Sequence, residues 1–594
     1  GGVPPAELVD ELFERGNGIP LHIEELLAAN GDQGVPHTVA EAVRSRSAKL
    51  DDQVREIVGA AAVIGCSFEF DLLAAIVDVP EDEIDRALQV LLERHLMVAL
   101  GPTRFDFRHA LIRDALYEQI SPFRKRAVHE AVARASERAG MRRSYLSEQF
   151  ELANLPAQAH AHALAAAQDA ARISAHRESA ELYARALRTA PEDAPLADLS
   201  SINMRYAIEL AAIDRNHEAA ERFQVAIDQL RAQDRIDEAA ILMGRLMATR
   251  HLLGDGLEQR TALGEEALGW LDARPGGGDA VARAKVLGAM AGSYLVADAL
   301  DQAIEAGERA IALLPEQKMG DCDHLDIRTT LGTVLVFGGD PKGWRILEEV
   351  IELAEGAEFE AEAVRARRML GSASSVLVDY PRALAVLDEA LRFTAGLDRW
   401  NDHHYLRAHR AHVRWATGAS GAERDARRAL ADGRGITTEI QGHVSLGYVL
   451  LSRGEFGKAR RELQCALDLA EPMGELQRIS PAVWGLAELA LREERFAEAL
   501  ERCERGYRLS AHVGDAAYLF PYVVTGTRAH LAERDTAAAR DWIDRCAVLL
   551  GRRGIPGTLP AIEHATGLLH HAEGRGSLAR AALLQASEAW DGFR

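Results

Sequence analysis

Residues 379–398, DYPRALAVLDEALRFTAGLD, carry the pattern that decides the fold. Ala383, Leu387, Ala390 and Leu391 stand at offsets of 0, 4, 7 and 8, which places four apolar side chains on one face of a helix. The same face returns as Ala219, Phe223, Ala226 and Ile227, as Gly343, Leu347, Val350 and Ile351, and as Ala459, Leu463, Ala466 and Leu467. Weaker copies begin at Ser179, Arg260, Ala303, Ala422, Ala499, Ala539 and Ala579. The eleven anchors run from 179 to 579 with a mean period of 40 residues. A period of this size is the signature of a repeat architecture.

Helix breakers keep the same phase, at Pro191–Pro195, Pro275–Gly278, Pro315–Gly320, Pro472–Gly474 and Gly551–Pro560, and each marks the end of a second helix. Ahead of the anchors lies a first helix with small residues at its crossing point: Ala207, Ala291, Gly371, Gly447, Ala487 and Gly567. Small residues on both helices let the backbones approach closely. A helix pair with one apolar face cannot bury it alone, so stacked pairs form a continuous core. The sequence therefore predicts an all-α protein with a superhelix of about eleven helix pairs over 165–594.

Composition agrees. A chain of 594 residues is too long for one growing core, and its 6% aromatic content is thin for a β-rich protein. The balance of 69 Lys and Arg against 91 Asp and Glu gives a net charge of -22, which repels phosphate backbones. Five scattered cysteines without a C-x-x-C pair argue against zinc or a disulfide framework and fit a reducing cytoplasm. The longest apolar run, Ile57–Phe68, is too short for a membrane span of roughly 20 residues. The first residues, Gly1-Gly2-Val3-Pro4-Pro5, do not read as a signal peptide and suggest the start of a cut segment.

Residues 1–130 lack the 40-residue phase. Helices are expected at 7–15, through Leu27, and at 38–50, 52–64, 70–77 and 81–95, followed by a hairpin of Met97–Leu100 with Arg104–Phe107. Helices closed by a hairpin suggest a winged helix. The expected organisation is a helical lid fragment at 1–34, a winged-helix domain at 35–130, a helical linker at 131–164 and the superhelix at 165–594.

Two short motifs carry a family resemblance. Gly18-Ile19-Pro20-Leu21 resembles the G-x-P motif of signalling ATPases of the apoptosome and plant-resistance type, and Phe107-Arg108-His109-Ala110-Leu111-Ile112-Arg113-Asp114 resembles the stretch that closes their winged helix. Within these signal-transduction ATPases with numerous domains, the likeness is to large ATP-binding regulators with a LuxR-type DNA-binding end. Those regulators carry stretches similar to Val35-Pro36-His37-Thr38-Val39 and Arg104-Phe105-Asp106-Phe107-Arg108-His109. The repeats resemble the tetratricopeptide class, with a longer unit similar to the sensor of the maltose-regulon activator. The resemblance implies that Pro20 packs on adenine and that His109 touches ADP phosphates. It also implies a small-molecule inducer or partner protein on the superhelix.

The departures from that family are equally informative. No G-x-x-x-x-G-K-S/T loop occurs, so these residues lack the backbone cradle and lysine that hold nucleotide phosphates. A LuxR-type helix-turn-helix is also absent. ATP or ADP is thus expected only in an intact parent protein that supplies an ATPase domain, and DNA contact only through a further C-terminal domain. The expected function is the regulatory and sensor region of an ATP-dependent bacterial transcriptional regulator, not itself an enzyme. The alternatives are the same region serving a serine/threonine kinase or nucleotide cyclase, and a plain protein-binding scaffold.

Few residues stand out as ligand contacts. Trp400–Trp415 concentrates aromatics and histidines on one first helix, and Trp400, His404, Tyr405 and Trp415 are its candidate binding residues. Tyr518, Phe520 and Tyr522 form a second aromatic concentration. His403, His404, His409 and His412 have no carboxylate or cysteine completing a metal set at ligand spacing. The basic run Arg124-Lys125-Arg126 reads as a solvated face or a contact to the ATPase domain.

Overall fold

The computed structural model describes Val43, residues 46–314 and residues 320–593. The lid helices, Pro20, most of the expected 38–50 helix and most of the breaker at 315–320 lie outside the described residues. The chain divides into two compact units: 1–169 with 181–194, and 170–180 with 195–594.

In the first unit, Asp51 caps the helix Asp52–Ile64 by accepting a 2.8 Å hydrogen bond from the Val54 amide. The helices Phe70–Ala74 and Glu81–Glu93 follow, the second closed by His95 at φ 55° and a Leu96 N–H donating to Leu91 O. Strands β1 (Ser67–Glu69), β2 (Met97–Ala99) and β3 (Arg104–Phe107) form an antiparallel sheet in the order β1-β3-β2. The registers Phe68 opposite Phe105 and Met97 opposite Phe107 aim these side chains into a core with Ile57, Leu88 and Ile112. The hairpin stands where the sequence put it. Strand β1 went unread because three residues are too few to show an alternation.

The helices of the repeat series run from Pro156 to Asp591 as eleven pairs, the first of them divided between the two units. Every anchor falls within the first four residues of a second helix, from Ser179 in His176–Arg188 to Ala579 in Gly576–Asp591. All eleven are buried. The residue four positions on fills a notch in the first helix: a Cβ at Gly371, Gly447 or Gly567 would lie 2.8, 2.6 or 2.7 Å from the side chain of Leu387, Leu463 or Leu583. Glycine costs about 1 kcal/mol inside a helix, and the close packing it permits is the return.

First helices end in tight left-handed turns. After Leu196–Ala212, Asp214 takes φ 66° and the Arg215 N–H donates to Leu210 O. Asp298 does the same at φ 59°. Aspartate tolerates this conformation better than most residues.

Successive turns of the superhelix touch. Hydrogen bonds join Ser174 to Glu360, Asn401 to Ala211 O, the Arg434 amide to Asp214, Arg260 to Glu475, Gln477 to Val296 O and Arg553 to Phe337 O. These partners are 181 to 220 residues apart, which at a period of 40 is about five pairs per turn. The latch between Arg260 and Glu475 is 2.8 Å long with both side chains 1% exposed. Arg260 is the one charged anchor in the series, and the partner in the next turn is its physical reason.

Candidate ligand-binding cavity

The second unit winds around a cavity of about 710 Å³, within the size range of small-molecule sites. Its wall comes chiefly from the first helices, because the second helices are spent on the outer seam. On Trp400–Ala416 the face Asp402, Tyr405, His409, His412 and Trp415 points inward, and on Ile436–Ser452 the face Thr437, Gln441, Val444 and Tyr448 does so. Both follow the helical period, and Val444 and Tyr448 also belong to the core, so the wall and the core meet on this face.

One part of the wall is aromatic. The rings of Trp415 and Tyr448 are 4.6 Å apart, and Tyr448 meets Trp484 edge-on at 4.9 Å. Their polar atoms are already engaged: Trp415 Nε1 donates to Ser452, Trp484 Nε1 to Thr525 and the Tyr448 hydroxyl to Pro481 O. The ring faces therefore offer apolar surface without a polar penalty. His412 sits between Tyr380 and Trp415, and burial lowers its imidazole to about 4.

The other part is charged and poorly satisfied. Arg368 lies over the Tyr405 ring at 5.2 Å, with its Nε 3.4 Å from Asp402, which Arg399 also pairs at 3.2 Å. Arg478 stands 3.6 Å from Glu475, the carboxylate already bonded to Arg260. Two buried carboxylates thus serve four guanidinium groups. The Nε atoms of Arg368 and Arg478 and both ring nitrogens of His409 are buried with no hydrogen-bond partner among the described residues. Burial, then Arg478, His412 and Arg368, hold the His409 imidazole well below its usual range, so it is neutral at pH 7. Burial, reinforced by Asp515 and Glu475, pushes the Asp298 carboxyl up to about 8. Unpaired buried polar groups each cost about 1–3 kcal/mol, so this wall is not arranged for stability.

Of the residues singled out from sequence, Tyr405 and Trp415 line the cavity, as do Tyr518 and Phe520. Trp400 and His404 do not line it; they stack on each other at 5.9 Å, with His404 Nδ1 3.9 Å from Asp214 at the contact between turns. Tyr522 is a core residue. His109 belongs to the first unit, where it is the partly buried N-cap of Ala110–Glu118 without a side-chain cap bond. In the basic run, Arg124 pairs with Glu56 and Lys125 lies 4.2 Å from the Tyr117 ring centroid. Arg368, Arg478, Tyr448 and Trp484, on the inward stripe of first helices, and Asp298, in the turn after Ala280–Val296, were not singled out. Among the described residues no group of three His, Cys, Asp or Glu could hold a metal ion, and no helix is long and apolar enough to cross a membrane.

No family model matches the chain and no curated protein matches it. Among solved structures, it is similar to a signal transduction ATPase with numerous domains with a tetratricopeptide repeat sensor from Pyrococcus horikoshii, at 12% identity and TM-score 0.33, over 78% of this chain and 69% of that one. A Rap protein complexed with competence and sporulation factor matches at 13% identity and TM-score 0.36, over 67% of this chain and 100% of that one. The Cut9–Hcn1 hetero-tetramer of the APC/C matches at 14% and 0.41, over 80% and 94%.

Proposed function

We propose that the chain is the sensor and regulatory region of an ATP-dependent switch protein, in which the superhelix encloses a small inducer and the first unit relays its presence to an ATPase domain. The observation that carries this reading is the cavity wall: Arg368, His409 and Arg478 line a space of about 710 Å³, and each holds a buried polar atom without a hydrogen-bond partner among the described residues. A scaffold that only displayed its outer surface would gain nothing from such groups. Inducer binding acts on the contacts between turns, because Arg478 pairs with Glu475 and Glu475 holds Arg260. The first unit is read as a winged helix, from its helices and the sheet β1-β3-β2.

Within this reading Pro20 meets adenine and His109 bonds to ADP phosphates in the intact regulator. DNA is reached through a further domain. Native mass spectrometry of the purified chain tests the sensor role. The expected result is a bound metabolite of small mass, or a metabolite fraction that raises the melting temperature, with either effect lost on Trp484→Leu. A chain that takes up no metabolite, and whose melting temperature no fraction moves, would contradict it.

A further inference from the structure

The charged and aromatic parts of the wall are continuous along one helix face. Tyr405, His409, His412 and Trp415 follow one another on Trp400–Ala416, with ring centroids of Tyr405 and His409 4.5 Å apart and of His412 and Trp415 5.8 Å apart. His409 and Trp415 are six positions apart, a rise of about 9 Å along the helix. At one end of this span lie Arg368 and Arg478, and at the other the panel of Trp415, Tyr448 and Trp484.

The balance of charge at the first end is fixed by the pairing. Asp402 is shared by Arg368 and Arg399, and Glu475 by Arg260 and Arg478, so within these pairings two carboxylates face four cations, with Glu362 also near Arg399 and Tyr405 near Arg478. His251, the other group at Glu475, adds none at neutral pH because burial lowers its imidazole. Arg478 and His409 are each 5% exposed. An uncompensated buried cation is costly, and an anion that accepts from it removes that cost. In a chain of net charge -22, positive charge gathered on an enclosed wall is a selective feature, not a background of the composition.

We propose that the cavity selects an aryl-alkanoic acid: a carboxylate seated between Arg368, Arg478 and His409, and a flat aromatic body against Trp415, Tyr448 and Trp484, joined by a linker spanning about 9 Å. This rests on the reading of the cavity as an inducer site. The carboxylate accepts from the guanidinium groups of Arg368 and Arg478, which line the cavity beside neutral His409. The aromatic body stacks on faces whose polar atoms are engaged elsewhere.

The test uses the intact chain and a panel of aryl-alkanoic acids with four to eight methylene groups, each beside its primary carboxamide, measured by calorimetry and ligand-observed NMR. Acids are expected to bind at least about tenfold tighter than their amides, with affinity peaking at one linker length. Arg368→Gln should abolish that preference, and Trp484→Leu should weaken acid and amide alike. Circular dichroism confirms that each variant is folded. Equal affinity for acid and amide would overturn the anionic seat while leaving a ligand cavity. Binding of neither at millimolar concentration would overturn the seat and the cavity reading together.

Discussion

The seam between the helices of each pair and the wall of the cavity are built on different faces of the same first helices. At the seam the same small residue recurs pair after pair, Gly371, Gly447 and Gly567 each receiving a leucine. On the wall the side chains change from pair to pair: Tyr405, His409 and Trp415 in one pair face Arg368, Tyr448 and Arg478 from others. The seam repeats one apolar fit, whereas the wall holds buried polar atoms of Arg368, His409 and Arg478 without a hydrogen-bond partner among the described residues. Repetition marks what the architecture needs, and variation at a constant phase marks what a ligand needs.

The largest effect is expected where the two meet, at the latch between turns. Glu475→Ala leaves Arg260 and Arg478 buried without their carboxylate and should cost about 3–5 kcal/mol, read as the first transition in urea unfolding. The seam comes next. Leu463→Ala empties the notch at Gly447 and should cost about 2–5 kcal/mol, with hydrogen exchange rising in the pairs adjoining it, since each repeat leans on its neighbours. If either substitution were silent, the stacked turns or the knob-and-notch seam would be wrong.

The wall gives a smaller, pH-dependent signal. Asp298 is raised to about 8 by burial, above its unfolded value of about 3.9. Its protonated form therefore favours the folded state fully at acid pH, and that contribution is lost as pH rises from about 4 through about 8. Asp298→Asn should leave the melting temperature nearly unchanged near pH 4 and raise it at pH 8, since asparagine also suits the left-handed backbone there. A variant less stable at both values would place Asp298 among the structural residues.

Much of this organisation could be read before any coordinates. All eleven anchors lie where the 40-residue phase put them, because a buried apolar face repeated in sequence admits few alternatives. The hairpin of β2 and β3 was legible from its turn, and β1 was not. The cavity was only half legible. Tyr405 and Trp415 drew notice as aromatics, but so did Trp400 and His404, which pack elsewhere. Local composition cannot tell a wall from a contact between turns 190 residues distant. Arg478 and Asp298 were invisible for the same reason, their partners lying in other pairs.

The most direct test is one substitution read two ways. His409→Leu removes a buried imidazole with no partner among the described residues and replaces it with an apolar side chain of similar size. The ligand-free chain should become more stable by about 1 kcal/mol, while affinity for the best aryl-alkanoic acid falls at least about tenfold. That opposition is what a wall kept for binding at the expense of folding predicts. A variant that loses stability and keeps its affinity would contradict the account, placing His409 in the packing and the ligand elsewhere.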